Sequence, residues 1–135
     1  IIKPNLVELT EFVAAPLDRN EDRIAACRKL AAEGRAEIVA LTLGEHGALL
    51  VTAERAWQAL PFAIEAVSTV GAGDSFLGGL VAALAGGKPL EEAFRIAVAA
   101  ASAAVLMPGT GLCQPEDVKR LLPQVKIKEI VPALA

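Results

Sequence analysis

The segment Val70-Gly71-Ala72-Gly73-Asp74-Ser75-Phe76 constrains this chain more than any other. Its glycines run directly into Asp74–Ala85, an Ala- and Gly-rich stretch that is apolar nearly all round. The pattern predicts a turn opening a buried helix, and so a helix N-terminus with unpaired N–H groups. Those donors and the helix dipole favour an anion, and a glycine without Cβ lets a phosphate approach the backbone. Spacing separates the turn from better-known ones. A dinucleotide fingerprint needs a third glycine where Phe76 stands, and a P-loop ends in Gly-Lys-Ser/Thr. A nucleophile elbow around Ser75 needs glycine where Leu77 stands. What remains is an anion-binding turn carrying one carboxylate. Asp74 is read either as a helix cap or as a general base that takes a proton from an acceptor hydroxyl beside the cradle.

Composition closes off other classes. With 54% hydrophobic residues in 135, the chain has apolar surface enough for a core and is not a disordered protein. Aromatics are only 4%, with no Tyr, which argues against base-stacking platforms, and a net charge of −3 argues against nucleic acid. The apolar runs Phe76–Gly87 and Ile96–Pro108 are shorter than the ~18–20 residues that span a bilayer, and Lys88, Glu91, Glu92 and Arg95 separate them. No membrane segment is expected. Cys27 and Cys113 lie far apart without CxxC or Cys/His spacing, the pattern of free thiols in a reducing, cytoplasmic compartment. The chain opens inside an apolar, strand-like run, Ile1-Ile2-Lys3-Pro4-Asn5, and is expected to be a fragment of something longer.

Along the chain, Ile1–Lys3 reads as a strand end, and Asn5 as the cap of a short helix with Glu8 at capping-box spacing. Asp18 or Asn20 opens a second helix through Ala32, stopped by Gly34. Ala36–Leu43 and Ala48–Thr52 read as paired strands about a turn at Gly44–Gly47. Ala56–Leu60 suggests a short edge strand, and Ile64–Val67 a further extended piece. Helices are expected over Asp74–Ala85, Leu90–Leu106 and Pro115–Leu122, with a loop at Met107–Gly111 and a half-exposed strand over Val125–Val131. Neither repeats nor a linker interrupt this α/β grammar, which is too short for a complete doubly wound domain.

Two further constellations carry candidate chemistry. Lys3, Asn5 and Glu8 supply a cation, an amide and a carboxylate, with Asn5 and Glu8 on one helical face. They read either as a plain capping box or as groups ordering waters around Mg²⁺, with Lys3 meeting a nucleotide phosphate. Thr42-Leu43-Gly44-Glu45-His46-Gly47 is by itself a hairpin turn. His46 has no second His or Cys nearby to make a zinc site. Trp57 reads as a core or edge-strand residue, and Lys119, Arg120, Lys126 and Lys128 as a solvated face.

Taken together, KPNxxE, TLGxxGA and STVGAGDSF, in that order, resemble the ribokinase-like (PfkB) family of carbohydrate kinases. The likeness covers essentially the whole chain but only the C-terminal half of such a kinase, lacking the sugar-binding half and lid. It implies a partial ribokinase-like three-layer α/β/α fold over residues 1–135. The stretch Val98–Val118 and STVGAGD resemble the sugar-phosphate branch, with the minor 6-phosphofructokinase, 1-phosphofructokinase and tagatose-6-phosphate kinase.

The resemblance implies ATP-dependent phosphorylation of a sugar phosphate, with fructose 6-phosphate going to fructose 1,6-bisphosphate. The rivals are the other two kinases of the branch, a nucleotide-binding fragment without turnover, and an inert fragment whose GAGD is only a cap. On the family pattern Asp74 would be the base, and the amides of Gly71, Ala72 and Gly73 the anion hole. Asn5 and Glu8 would organise Mg²⁺ through water, and Lys3 would contact phosphate. Thr42, Gly44 and Gly47 match the nucleotide-binding turn, and Val98, Ala101 and Ser102 the adenine-packing positions. Ser68, Val70, Ala104 and Gly109 are the local equivalents of a K⁺ site, with Ser68 standing where many relatives have Asp. A homodimeric parent protein is also implied.

Overall fold

The computed structural model describes residues 1–61, 71–106 and 113–131. The expected strand at Ile64–Val67 and the loop at Met107–Gly111 lie outside them, as do Ser68, Val70 and Gly109. The chain divides into two compact units, Ile1–Gln58 with the segment from Lys128 onward, and Ala59–Ile127.

In the first unit Pro4, which lacks an N–H, holds the opening residues extended. The Ile2 N–H donates to the Ile38 carbonyl at 3.0 Å, Ala40 N–H to Ile2 at 2.9 Å and Thr42 N–H to Pro4 at 3.1 Å. These bonds make Ile2–Asn5 run parallel to β1 (Val39–Thr42). A parallel return needs a crossover, supplied by α1 (Leu6–Val13) and α2 (Asn20–Ala32). Ile24, Cys27 and Leu30 recur at helical spacing on the buried face of α2, and join Leu9 with Val39, Leu41, Leu49 and Val51 in one core.

β1 pairs antiparallel with β2 (Ala48–Val51), Val39 opposite Val51 and Thr42 opposite Ala48. Every position of β2 is buried, as its unbroken apolar run requires. Beyond a turn in which Thr52 Oγ1 accepts from the Arg55 N–H at 3.0 Å comes β3 (Ala56–Ala59). The sheet order is β1-β2-β3-β4, with β4 at Ile127–Glu129. β3 is therefore interior and not the expected edge strand. Its neighbour comes from the far end of the chain: the Ile130 N–H donates to the Ala56 carbonyl at 2.8 Å. Trp57 is accordingly buried at 1% exposure.

In the second unit α3 (Ala72–Ala85) packs along α4 (Leu90–Ala104), and α4 against α5 (Pro115–Leu121). The α3–α4 seam is closed by small residues: a Cβ on Gly79 would sit 3.1 Å from Ala100 Cβ. Phe76 and Phe94 meet edge to face across it, centroids 6.2 Å apart. α3 ends in a Schellman motif, with Gly87 at φ +82°, its N–H on the Leu84 carbonyl and that of Lys88 on Ala83, each 3.0 Å. The last helix stops one residue before the expected Leu122, and the chain continues as a 3-10 turn, Leu122–Gln124, that accommodates Pro123.

Candidate active site

The first unit gathers six of the candidate residues about one end of its parallel pairing. Asn5 caps α1 in a full capping box: its Oδ1 accepts from the Glu8 N–H at 2.8 Å, and Glu8 Oε1 accepts from the Asn5 N–H at 2.9 Å. The plain capping reading is thus realised. It still leaves Glu8 Oε2 and the Asn5 amide nitrogen without a partner among the described residues. Asn5 is bridged to Thr42 across the parallel pair, so the α1 N-terminus and the end of β1 coincide. Ligands collect at the carboxyl ends of parallel strands, where this juxtaposition lies. Lys3 is two residues back on the same segment.

From Thr42 the chain enters a 3-10 turn, Gly44–His46, closed by the Leu43 N–H on the Gly47 carbonyl at 2.9 Å. Gly44 and Gly47 have φ of +59° and +96°, a region costly to other residues. The glycines of the sequence pattern are therefore demanded by the turn itself. His46 and Glu45 are exposed beside each other, 3.8 Å apart.

The second unit presents the glycine turn. Gly71 is the N-cap of α3 at φ +85°, ψ −7°, with no side chain capping the helix. The helix starts two residues earlier than the sequence pattern suggests, because this glycine takes the left-handed conformation that turns the chain into it. The Ser75 N–H closes the first turn on the Gly71 carbonyl at 2.9 Å. The N–H groups of Ala72, Gly73 and Asp74 then have no acceptor among the described residues. Asp74 occupies the third helical position, exposed, with a carboxylate that makes no hydrogen bond or ion pair there. It is not a hydrogen-bonded cap. On α4, Val98, Ala101 and Ser102 fall at i, i+3 and i+4 on one face, half-buried, and Ala104 is the last helical residue.

Other ionisable groups offer less. Both cysteines are free. Burial pushes the Cys27 thiol up to about 12, so it is no nucleophile near neutrality. The Arg55 guanidinium, hydrogen-bonded to both oxygens of Glu129 at 2.7 and 3.1 Å, holds that carboxyl below its usual range. Among the described residues no three His, Cys, Asp or Glu side chains gather as a metal cluster, and no helix is long and apolar enough to cross a membrane.

A model of the pfkB family carbohydrate kinases matches residues 1–117. The chain belongs to this family. Among its pfkB relatives is ATP-dependent 6-phosphofructokinase isozyme 2 of Escherichia coli (strain K12), 40% identical over 121 residues, covering 90% of this chain and 39% of the relative. The 1-phosphofructokinase of Borreliella burgdorferi is 35% identical over 131 residues, covering 96% and 42%. The crystal structure of phosphofructokinase-2 from Escherichia coli in complex with potassium superposes with a TM-score of 0.85 at 39% identity, covering 91% of this chain and 40% of that one. The chain therefore has a partial ribokinase-like α/β fold, and it spans about two fifths of the length of the curated relatives it matches.

Proposed function

We propose that the complete protein is an ATP-dependent sugar-phosphate kinase that phosphorylates a hydroxyl of fructose 6-phosphate, giving fructose 1,6-bisphosphate. The observation that carries this reading is the uncapped N-terminus of α3, where N–H groups and a carboxylate stand side by side without partners among the described residues. Phosphoryl transfer asks a protein for positioning and charge stabilisation and for little covalent chemistry. Asp74 takes the proton from the acceptor hydroxyl as its oxygen bonds to the γ-phosphorus, while the bond from that phosphorus to the β-phosphate oxygen breaks and ADP leaves. The N–H groups of Gly71, Ala72 and Gly73 meet the charge on the transferring group.

Asn5 and Glu8 fit Mg²⁺ in its usual manner, few protein ligands and several waters, through the Glu8 oxygen that the capping box leaves free. Bound there, the ion neutralises phosphate charge. Lys3 adds a cation, Thr42, Gly44 and Gly47 hold the nucleotide, and Val98, Ala101 and Ser102 pack its base. Ala104, at the carbonyl end of α4, is the described member of a K⁺ site. A homodimeric, cytoplasmic protein with this chain as its catalytic half completes the proposal. The 1-phosphofructokinase relative makes fructose 1-phosphate the second acceptor to test, and the resemblance to the sugar-phosphate branch makes tagatose 6-phosphate the third.

The test is ATP-dependent transfer by the complete protein across those three acceptors and unphosphorylated sugars. Asp74→Asn should lower kcat by about 10²–10⁴-fold, the usual worth of a general base, while MgATP still binds. Near-normal turnover by that variant removes Asp74 from its role. Nucleotide binding without transfer to any acceptor would instead support a binding module.

A further inference from the structure

Among the described residues, Ser75 is buried at 7% exposure, and its Oγ, like Trp57 Nε1 and Arg28 Nε, is a buried polar atom without a hydrogen-bond partner. A buried hydroxyl without a partner is destabilising, and alanine, abundant in this helix, would fill the same volume without that cost. Local bonding does not account for it either. The carbonyl one turn back, Gly71, is taken by the Ser75 backbone N–H at 2.9 Å and not by the hydroxyl.

Position does suggest a use. Side chains on a helix lean towards its N-terminus and cover the turn before their own Cα. Ser75 therefore lies over Gly71–Ala72, beside the N–H groups of Ala72, Gly73 and Asp74 that have no acceptor among the described residues. Neighbouring helical residues point about 100° apart. Asp74 thus flanks the opening on its exposed side and Ser75 on its buried side.

We propose that the Ser75 hydroxyl is a further binding group of this site, donating its Oγ–H to the phosphoryl anion held at the N-terminus of α3. The inference rests on the kinase reading above. It adds a side-chain donor to the backbone ones, on the buried side of the opening, and a hydrogen bond to a charged acceptor is strong. The ligand-free protein carries an unsatisfied group that the anion then satisfies, so stability and function are opposed at this residue.

The full-length protein, Ser75→Ala and Ser75→Thr are compared by thermal unfolding, first without ligand, then with MgADP, then with MgADP and fluoroaluminate, a mimic of the transferring phosphoryl group. Phosphoryl transfer is measured alongside. The expected result is a Ser75→Ala protein at least as heat-stable as wild type without ligand, with affinity for the fluoroaluminate complex and kcat each down about tenfold and KM for ATP within twofold. Ser75→Thr, which keeps the hydroxyl, should recover most of both losses. A Ser75→Ala protein that is less stable or fails to fold would make the hydroxyl structural and overturn the proposal. So would unchanged fluoroaluminate affinity in that variant. A wild-type protein that binds fluoroaluminate but transfers to no sugar phosphate overturns the kinase reading only, and the variant's affinity still decides the role of Ser75.

Discussion

Cys27 and Cys113 are the same residue in opposite circumstances. Cys27 lies in the apolar core beneath α2, and burial disfavours its thiolate enough to move the pKa from 9.0 to about 12. Cys113 is half-buried and free. A thiol-specific disulfide reagent at pH 8 should therefore label Cys113 in the folded 135-residue chain and reach Cys27 only on unfolding. Equal rates at both positions would contradict the burial. The same shift fixes a pH dependence. The folded form holds the Cys27 proton more tightly than the unfolded chain does, so this contribution to stability is complete below pH 9. It is lost as the pH rises from there towards about 12. Cys27→Ala should flatten that alkaline limb while lowering stability overall through the cavity it leaves.

At the scale of elements, two adjacent glycines in α3 make opposite predictions. Gly78 is exposed, and a Cβ added there meets nothing within 4 Å. Gly78→Ala should stabilise by about 0.5–1 kcal/mol, because alanine gives up less backbone freedom in forming a helix. At Gly79 the new Cβ would lie 3.1 Å from Ala100 Cβ and 3.3 Å from Ala97 Cα. The latter is backbone and yields only if α4 moves, so overpacking outweighs the propensity gain and Gly79→Ala should lose roughly 1 kcal/mol. Chemical denaturation of both variants gives the ranking, and a Gly79→Ala protein as stable as Gly78→Ala would mean the helices separate freely. This contrast shows where the sequence is readable. Glycine beside alanine in an apolar run announces a buried helix, but which glycine faces α4 depends on the crossing of two elements. The helices themselves emerge from local signals such as the Asn5–Glu8 box, with ends displaced by a residue or two. The sequence points β3 to an edge because its second neighbour, β4, is some seventy residues away in the chain. The motifs at Asn5, Gly44 and Asp74 are likewise local and legible. The burial and missing partner of Ser75 are products of packing, which local sequence does not carry.

For the whole molecule, the most telling surface is the one the first unit leaves open. Ile2 and Pro4 spend their backbone groups on β1, whereas the N–H and carbonyl of Lys3 have no partner among the described residues. Among the described residues the outer side of this segment is thus an unpaired strand edge, and Ile1 and Ile2 beside it are exposed. On α1, Val7 at 67% and Phe12 at 60% exposure add apolar surface, although Arg35 stacks over the Phe12 ring at 5.6 Å. Open edges pair with other strands, and contiguous apolar patches draw partners. By itself, then, the 135-residue chain should sediment above its 14.0 kDa monomer mass, with a weight-average mass that rises across the micromolar range. Replacing Ile1 and Ile2 with Lys should return it towards monomer, since charge on an edge strand opposes pairing, while far-UV circular dichroism stays unchanged. A concentration-independent monomer for the unaltered chain would show that the free edge is protected in a way its backbone bonding does not reveal. Assembly that persists after the Lys substitutions would move the association to another exposed apolar position, with Val81 on the outer face of α3, 47% exposed, the next to replace.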